Sequence, residues 1–417
     1  MLNESARNIL LNGISVASRT AAGTLVFVIN ARVFGAESFG ILMSWFAIGS
    51  FFAIPANYGL VPVVLRDCSA NPDRAMDIMS NLLSLKVVLT AITLPFTVAF
   101  GLVVDHGLVF VLLAWTQIAD TFIDFFMASL RAKGLFRYEA ISYSIYSIAS
   151  LAAISVTAVA THSLVLVSLS FLLCRLSFAI VALIRVELAF TKKLRRISTQ
   201  QGLSELGGQW SYAADVLMQA TMTSIDTAIL RIVGGPVAVG IYQAGTRVAY
   251  GLLTIVTVLT NVLIPRTSPR VHMPGAVVAL VRIISVFAKA GLVAGMANYV
   301  IVAFVMPHVY GAAFAAVTGL APALSLFVAA RFAASGTGIT LVLVRHTRAR
   351  IASLLLGSTC LISLSFVLGS RYREVGVAWA LVASTAIMGA AMLFFCIRYL
   401  WARSRRERRD PAMTLDY

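Results

Sequence analysis

Of the 417 residues, 59% are hydrophobic and only 12% charged, with a mean hydropathy of +0.90. Those values exclude an ordinary soluble globule. The formal charge is +16, but the cations gather in short connections between apolar segments and in a C-terminal tail; nucleic-acid binding would call for a basic solvent-facing domain.

A helix needs about 20 apolar residues to cross the hydrocarbon of a bilayer. Twelve such segments are predicted, at 9–31, 40–63, 78–101, 108–130, 139–160, 164–184, 208–230, 238–264, 277–305, 314–343, 350–369 and 375–399. No cleavable leader is expected, because Asn3, Glu4, Arg7 and Asn8 lead straight into a full span. Pro55, Pro62, Pro95 and Pro322 fall within segments and are expected to kink them, which a membrane helix tolerates where neighbours satisfy the released carbonyls. Cys68, Cys174, Cys360 and Cys396 lie in an inner connection or inside apolar segments, so neither a disulfide framework nor a metal cluster is predicted.

The cations alternate between connections. Arg66 and Arg74 follow the second segment, Arg131, Lys133 and Arg137 the fourth, and Arg185, Lys192, Lys193, Arg195 and Arg196 the sixth. The pattern continues with Arg266, Arg270 and Arg282, then Arg345, Arg348 and Arg350, then the tail Arg398 to Arg409. The intervening connections hold little beyond Arg32 with Glu37, Asp105, His162, Arg231, His308, and Arg371 and Arg373 with Glu374. Cationic loops stay cytoplasmic, so a multi-pass inner-membrane protein with both termini inside is expected.

The basic stretch ending in Gln200, Gln201 and Gly202 is the one clear linker. It gives an N-terminal six-helix lobe at 1–190, a cytoplasmic linker at 191–206, a second six-helix lobe at 207–399 and a basic tail at 400–417. Gly35-Ala36-Glu37-Ser38-Phe39-Gly40-Ile41 after the first segment matches Gly235-Pro236-Val237-Ala238-Val239-Gly240-Ile241 after the seventh, each shortly after an arginine, Arg32 or Arg231. An even number of spans between the two makes the repeat parallel. The predicted fold is all-α: about twelve transmembrane helices in two six-helix lobes around a central cavity.

Ten ionisable residues fall at membrane depth: Arg19, Lys86, Arg175, Arg247, Lys289, Arg331, Asp120, Asp124, Asp215 and Asp226. A charge at the bilayer centre costs about 2.5–3.5 kcal/mol on insertion scales, so each needs a partner, a wet cavity or a route to the interface. Asn8, Asn12, Ser15 and Arg19 share one helical face; so do Gln117, Asp120 and Asp124, then Asp215, Gln219, Met222 and Asp226. The eighth segment repeats the pattern with Gln243, Thr246, Arg247, Tyr250, Thr254, Thr257 and Asn261. These stripes read as walls of an aqueous cavity. Lys86, near a segment end, is expected to snorkel to the interface, and Arg175 to sit in a structural pair. Asp120, Asp124, Asp215 and Asp226 read either as charge-balancing groups or as H+ or Na+ sites. The guanidiniums suit an anion such as phosphate, since their planar fork donates paired hydrogen bonds and stays charged.

The run Ile225-Asp226-Thr227-Ala228-Ile229-Leu230-Arg231-Ile232-Val233-Gly234-Gly235-Pro236 through Gly240-Ile241-Tyr242 resembles a signature of the polysaccharide (Wzx-type) flippases. The first-half run Ala31-Arg32-Val33-Phe34-Gly35 to Ile41, with Asn57-Tyr58-Gly59-Leu60 and Arg66-Asp67, looks like the matching N-terminal signature. The family belongs to the multidrug/oligosaccharidyl-lipid/polysaccharide exporter superfamily. The resemblance implies two lobes around a cavity opening alternately to each side, and an undecaprenyl-diphosphate-linked oligosaccharide as substrate. It also implies diphosphate contact for Arg19 and Arg247. Asn12, Tyr250, Lys289 and Arg331 complete the candidate substrate-binding set. Twelve segments favour the polysaccharide branch over the lipid II branch. Expected partners are the lipid-linked oligosaccharide, membrane lipid, a coupling H+ or Na+, and glycan polymerases or glycosyltransferases. No cofactor is expected, and without a Gly-rich Lys phosphate loop ATP is not the expected driver. A multidrug or small-metabolite antiporter is the alternative. A membrane-embedded glycan-processing enzyme is a more distant one, because the expected outer connections are short and His106, His162 and His308 are scattered among them.

Overall fold

The computed structural model describes residues 2–190, 200, 206–267, 276–344 and 346–409. Most of the predicted linker (191–206) and the end of the tail lie outside the described residues. Described elements are helical throughout: α1 Leu2–Phe52, α2 Ile54–Asn57, α3 Leu60–Ala70, α4 Ala75–Gly101, α5 Gly107–Ala132, α6 Phe136–Thr161 and α7 Leu164–Phe190. They continue with α8 Leu206–Thr267, α9 Ala276–Val300, α10 Met306–Tyr310, α11 Ala321–Leu343 and α12 Thr347–Arg409. Among the described residues nine helices are long and apolar enough to cross a membrane. Four of these nine contain a residue where the backbone leaves the helix: Gly35, Gly235, Phe314 and Arg373.

The first two of those breaks give the repeat a physical basis. Gly35 has φ 74 and ψ 178, Gly235 φ 78 and ψ −178. The two backbones are thus superimposable in a region that only glycine enters without strain. A Cβ at either position would meet nothing within 4 Å, so the glycine is there for its dihedral, not for space. The same device recurs elsewhere. Each of the six connections expected to face outward holds one residue at positive φ: Gly35, His106, His162, Gly235, Gly311 and Arg373.

The prolines act differently by position. Pro55 opens α2, after which Tyr58 and Gly59 take left-handed conformations and interrupt the helix. Pro95 lies inside α4. Pro322 lies where a 3-10 stretch at Ala312–Leu320 passes into α11 within one span, in the first turn of the α-helix, a position that suits proline.

By internal contacts the chain forms two compact units, residues 1–228 and 229–417. The first packs Leu60, Val63, Met79, Phe125, Phe126, Tyr143 and Phe178 into one core. Tyr146 stacks on Phe178 with ring centroids 4.3 Å apart. In the second, α9 and α11 approach closely because Gly291 and Gly295 lie four residues apart. A Cβ on Gly291 would come within 2.7 Å of Phe332 Cβ, and one on Gly295 within 2.9 Å of the Ser325 carbonyl. Small residues spaced this way let membrane helices pack by van der Waals contact where no hydrophobic drive exists.

Candidate functional site

After Gly235, α8 presents Gln243, Thr246, Arg247, Tyr250 and Thr254 at helical spacing. The threonine hydroxyls return to their own helix: Thr246 Oγ1 donates to the Tyr242 carbonyl at 3.0 Å and Thr254 Oγ1 to Gly251 at 2.7 Å. Arg247 and Tyr250 are half-buried. Arg247 lies within electrostatic reach of the Tyr250 and Tyr310 hydroxyls. Tyr250, whose ring meets Phe327 edge-on at 5.9 Å, also acts on Arg331, and Arg331 in turn feels Arg350. A line of phenols and guanidiniums thus links Tyr310, Arg247, Tyr250, Arg331 and Arg350 inside the second unit. The one hydrogen-bond partner of the Arg331 guanidinium among described residues is the thioether of Met388, at 3.7 Å. Thioether sulfur is a weak acceptor. Lys289 is exposed on α9 and is not among the groups acting on Arg247 or Arg331.

The charged stripe of the first unit is arranged otherwise. Along α5, Gln117 donates to the Phe46 carbonyl of α1 at 3.4 Å, and Asp120 Oδ1 lies 2.6 Å from the Arg175 guanidinium of α7. Asp124 accepts from the Tyr143 hydroxyl of α6 at 3.1 Å. Arg175 also stands over the Tyr146 ring, 5.3 Å from its centroid. Each member of the stripe therefore meets a different neighbouring helix. Asp226 is buried, with its carboxylate accepting from the Thr227 N–H at 2.6 Å.

Lys86 corrects the snorkelling expectation. It is 1% exposed, and its ammonium donates to the Ala56 carbonyl at 2.7 Å and to Thr121 Oγ1 at 2.8 Å, over the Phe122 ring. The interruption at Tyr58–Gly59 explains this. It ends α2 just beyond Ala56, whose carbonyl then needs a donor from elsewhere. Lys86 supplies it, and the side chain turns inward.

The side chains of Asn12, Arg19, Asp215, Gln219 and Asn261 lie outside the described residues. Arg350 and Tyr310 were not singled out from sequence. Arg350 read as one more cytoplasmic cation, and only three-dimensional proximity joins it to Arg331. Outside the spans, the Arg66-Asp67 pair of the resemblance is bidentate, with Arg66 Nε 2.6 Å from Asp67 Oδ1. Arg66 also donates to the Tyr212 hydroxyl at 2.8 Å, tying α3 to the start of α8. The hydrogen bond to Asp67 raises the Arg66 pKa, so this cation is held charged. Burial pushes the neighbouring Cys68 thiol up to about 11. All four cysteines are free thiols.

An all-helical chain with nine membrane-length helices among its described residues, carrying intramembrane guanidiniums, is a multi-pass membrane protein. The polysaccharide biosynthesis protein family model matches residues 5–269, and the chain belongs to that family, within the multidrug/oligosaccharidyl-lipid/polysaccharide exporter superfamily. No curated protein sequence matches significantly. Among solved structures it is similar to the lipid II flippase MurJ in an inward closed conformation, with TM-score 0.72 and 15% identity over 93% of this chain and 87% of that one. An inward-facing multidrug resistance MATE transporter of the same superfamily aligns with TM-score 0.69 and 14% identity, covering 94% of this chain and 96% of the other. A superfamily transporter from Pyrococcus furiosus, described as having a binding pocket of reversed polarity, aligns at 0.61 and 12% identity over 95% and 96%. At these identities the likeness establishes the fold, that of a flippase or transporter.

Proposed function

We propose that the protein is a flippase that moves an undecaprenyl-diphosphate-linked oligosaccharide, an O-antigen or exopolysaccharide repeat unit, from the inner to the outer leaflet of the cytoplasmic membrane. The observation that carries this reading is the charge of the second unit. Residues 229–400 contain thirteen Lys and Arg but a single carboxylate, Glu374. Intramembrane cations in such excess over carboxylates favour an anion, and guanidinium is the group best shaped for phosphate. Family membership supports a role in polysaccharide assembly.

In this mechanism the diphosphate meets Arg19 and Arg247, the sugars contact polar side chains such as Asn12 and Tyr250, and the polyprenyl tail stays in lipid. Lys289 and Arg331 add positive field. Several moderate contacts serve passage better than one tight site, since the substrate must also leave. Substrate drives the conformational cycle only as far as its affinity differs between inward-open and outward-open states. Asp120, Asp124, Asp215 and Asp226 are the groups through which H+ or Na+ would couple. Both termini then lie in the cytoplasm, beside the polymerase and glycosyltransferases of the same assembly.

The test is export of the surface glycan in cells carrying Arg19→Ala or Arg247→Ala, with membrane protein levels matched. Each single variant is expected to lower export about tenfold or more, as loss of a charge-assisted contact to phosphate requires. Wild-type export by both would remove the assignment. The antiporter alternative predicts instead that vesicles accumulate organic cations, and that Asp226→Asn stops this.

A further inference from the structure

The second unit contains a cavity of about 350 Å³ whose walls come from four stretches of chain: Val256 and Thr260 of α8, one face of α11, the first turns of α12, and Met388 with Met392 in the later half of α12. This volume falls in the usual range for small-ligand sites, roughly 300–1,000 Å³. The lining is mostly apolar, with two exceptions that stand out by charge. Arg331 comes from the middle of α11 and Arg350 from the first turn of α12. The two guanidiniums lie close enough to repel each other. Among the described residues no carboxylate lines the cavity. Among the same residues, Arg331 donates only to the Met388 sulfur, at 3.7 Å, and no side chain pairs with Arg350.

The α11 face is shaped for this. Arg331, Ser335, Gly338 and Val342 recur at steps of four, three and four. Ser335 Oγ donates back to the Arg331 carbonyl at 2.7 Å and so stays close to its own helix. Gly338 leaves room above the backbone: a Cβ there would sit 3.4 Å from Met392 Sδ and 4.0 Å from Arg350 Nε. Larger side chains at that position would fill the cavity beside the Arg350 guanidinium.

Two mutually repelling guanidiniums facing one cavity with no counter-ion from the described residues are unfavourable unless an anion sits between them. The geometry points to a phosphate-binding site within the second unit, in which Arg331 and Arg350 together hold a phosphate or diphosphate group. Two planar forks can each donate paired hydrogen bonds to such a group. The apolar lining contributed by Val256, Leu354, Met388 and Met392 suits a phosphate that carries a hydrocarbon chain, so the source is either an anionic phospholipid headgroup or the phosphate of a carried or soluble molecule. The site depends on neither Arg19 nor Arg247, and the inference stands whether the transported molecule is a glycan lipid or not.

The experiment uses the purified full-length protein and inorganic pyrophosphate as probe. Saturable binding is expected for wild type, weakened about tenfold or more in Arg331→Gln and in Arg350→Gln. Gly338→Leu keeps both cations but occupies the cavity, and is expected to lose binding to a similar extent. Arg331→Lys keeps the charge and is expected to retain binding nearer to wild type, which separates loss of the site from loss of the fold. A second arm reconstitutes wild type and variants in nanodiscs of phosphatidylcholine with or without phosphatidylglycerol, then counts retained lipids by native mass spectrometry. Retained phosphatidylglycerol that pyrophosphate displaces, and that the variants lack, assigns the site to a lipid headgroup. Pyrophosphate binding with no retained lipid assigns it to a carried or soluble phosphate. If wild type binds neither probe saturably, or if all variants bind as wild type does, the site does not exist.

Discussion

The two units solve the problem of intramembrane charge in opposite ways. Residues 1–228 carry fifteen Lys and Arg against thirteen Asp and Glu, whereas residues 229–400 carry thirteen against one. In the first unit several of the described charges at membrane depth find partners within the chain: Arg175 with Asp120, Asp124 with the Tyr143 hydroxyl, Lys86 with a carbonyl left over by a helix break. In the second, Arg331 reaches only a thioether among the described residues and stands near another guanidinium. The first unit's described polar groups mostly hold helices together; on the proposed reading, the second unit's cations serve a charge that comes from elsewhere. A polar stripe on a membrane helix is therefore not evidence of a wet wall until its partners are known.

The sharpest way to break this contrast is to delete charges on each side and compare the sign of the effect on stability. In the first unit, Asp120→Ala leaves Arg175 without its carboxylate. A loss of about 2–3 kcal/mol is expected, between the values for exposed and for buried pairs, read as a lowered thermal unfolding temperature in detergent. The double variant Asp120→Leu with Arg175→Met is expected to recover most of it. Lys86→Met removes two hydrogen bonds and exposes the Ala56 carbonyl to an apolar neighbour, for about 2 kcal/mol, with export per inserted molecule unchanged. Gly35→Ala and Gly235→Ala force a Cβ into the same disallowed backbone and are each expected to cost about 1–2 kcal/mol. Unequal effects would weaken the repeat, since the dihedrals are alike. The smallest change is expected in the second unit. Arg331→Met should leave the ligand-free protein within about 0.5 kcal/mol of wild type or more stable, because it removes an uncompensated charge from an apolar site. A loss as large as that of Asp120→Ala would erase the distinction between the units.

Much of the fold was legible from the sequence because membrane solvation constrains it so strongly. Long apolar segments have to be helices, and the short turns between them were marked by Gly35 and Gly235. The glycine repeat, thin as a string of letters, becomes firm once both residues show the same dihedral pair. The sites were less legible. Lys86 was misread because depth in a span predicts snorkelling only if no inward partner exists, and the Ala56 carbonyl is exposed by a helix break thirty residues away. Arg350 was passed over because a cation at the start of a segment reads as topology, and its nearness to Arg331 depends on how α11 and α12 pack. One signal was available beforehand: the near absence of carboxylates from 229 to 400, which counting charges by unit would have brought out.

The most direct test reconstitutes purified protein into proteoliposomes with a fluorescent undecaprenyl-diphosphate oligosaccharide and follows its arrival in the opposite leaflet. Wild type should translocate it, and Arg247→Gln should slow the step at least about tenfold while Lys86→Met, corrected for inserted protein, does not. Equal rates for wild type and Arg247→Gln, or no translocation by wild type beside efficient uptake of organic cations, would contradict the account.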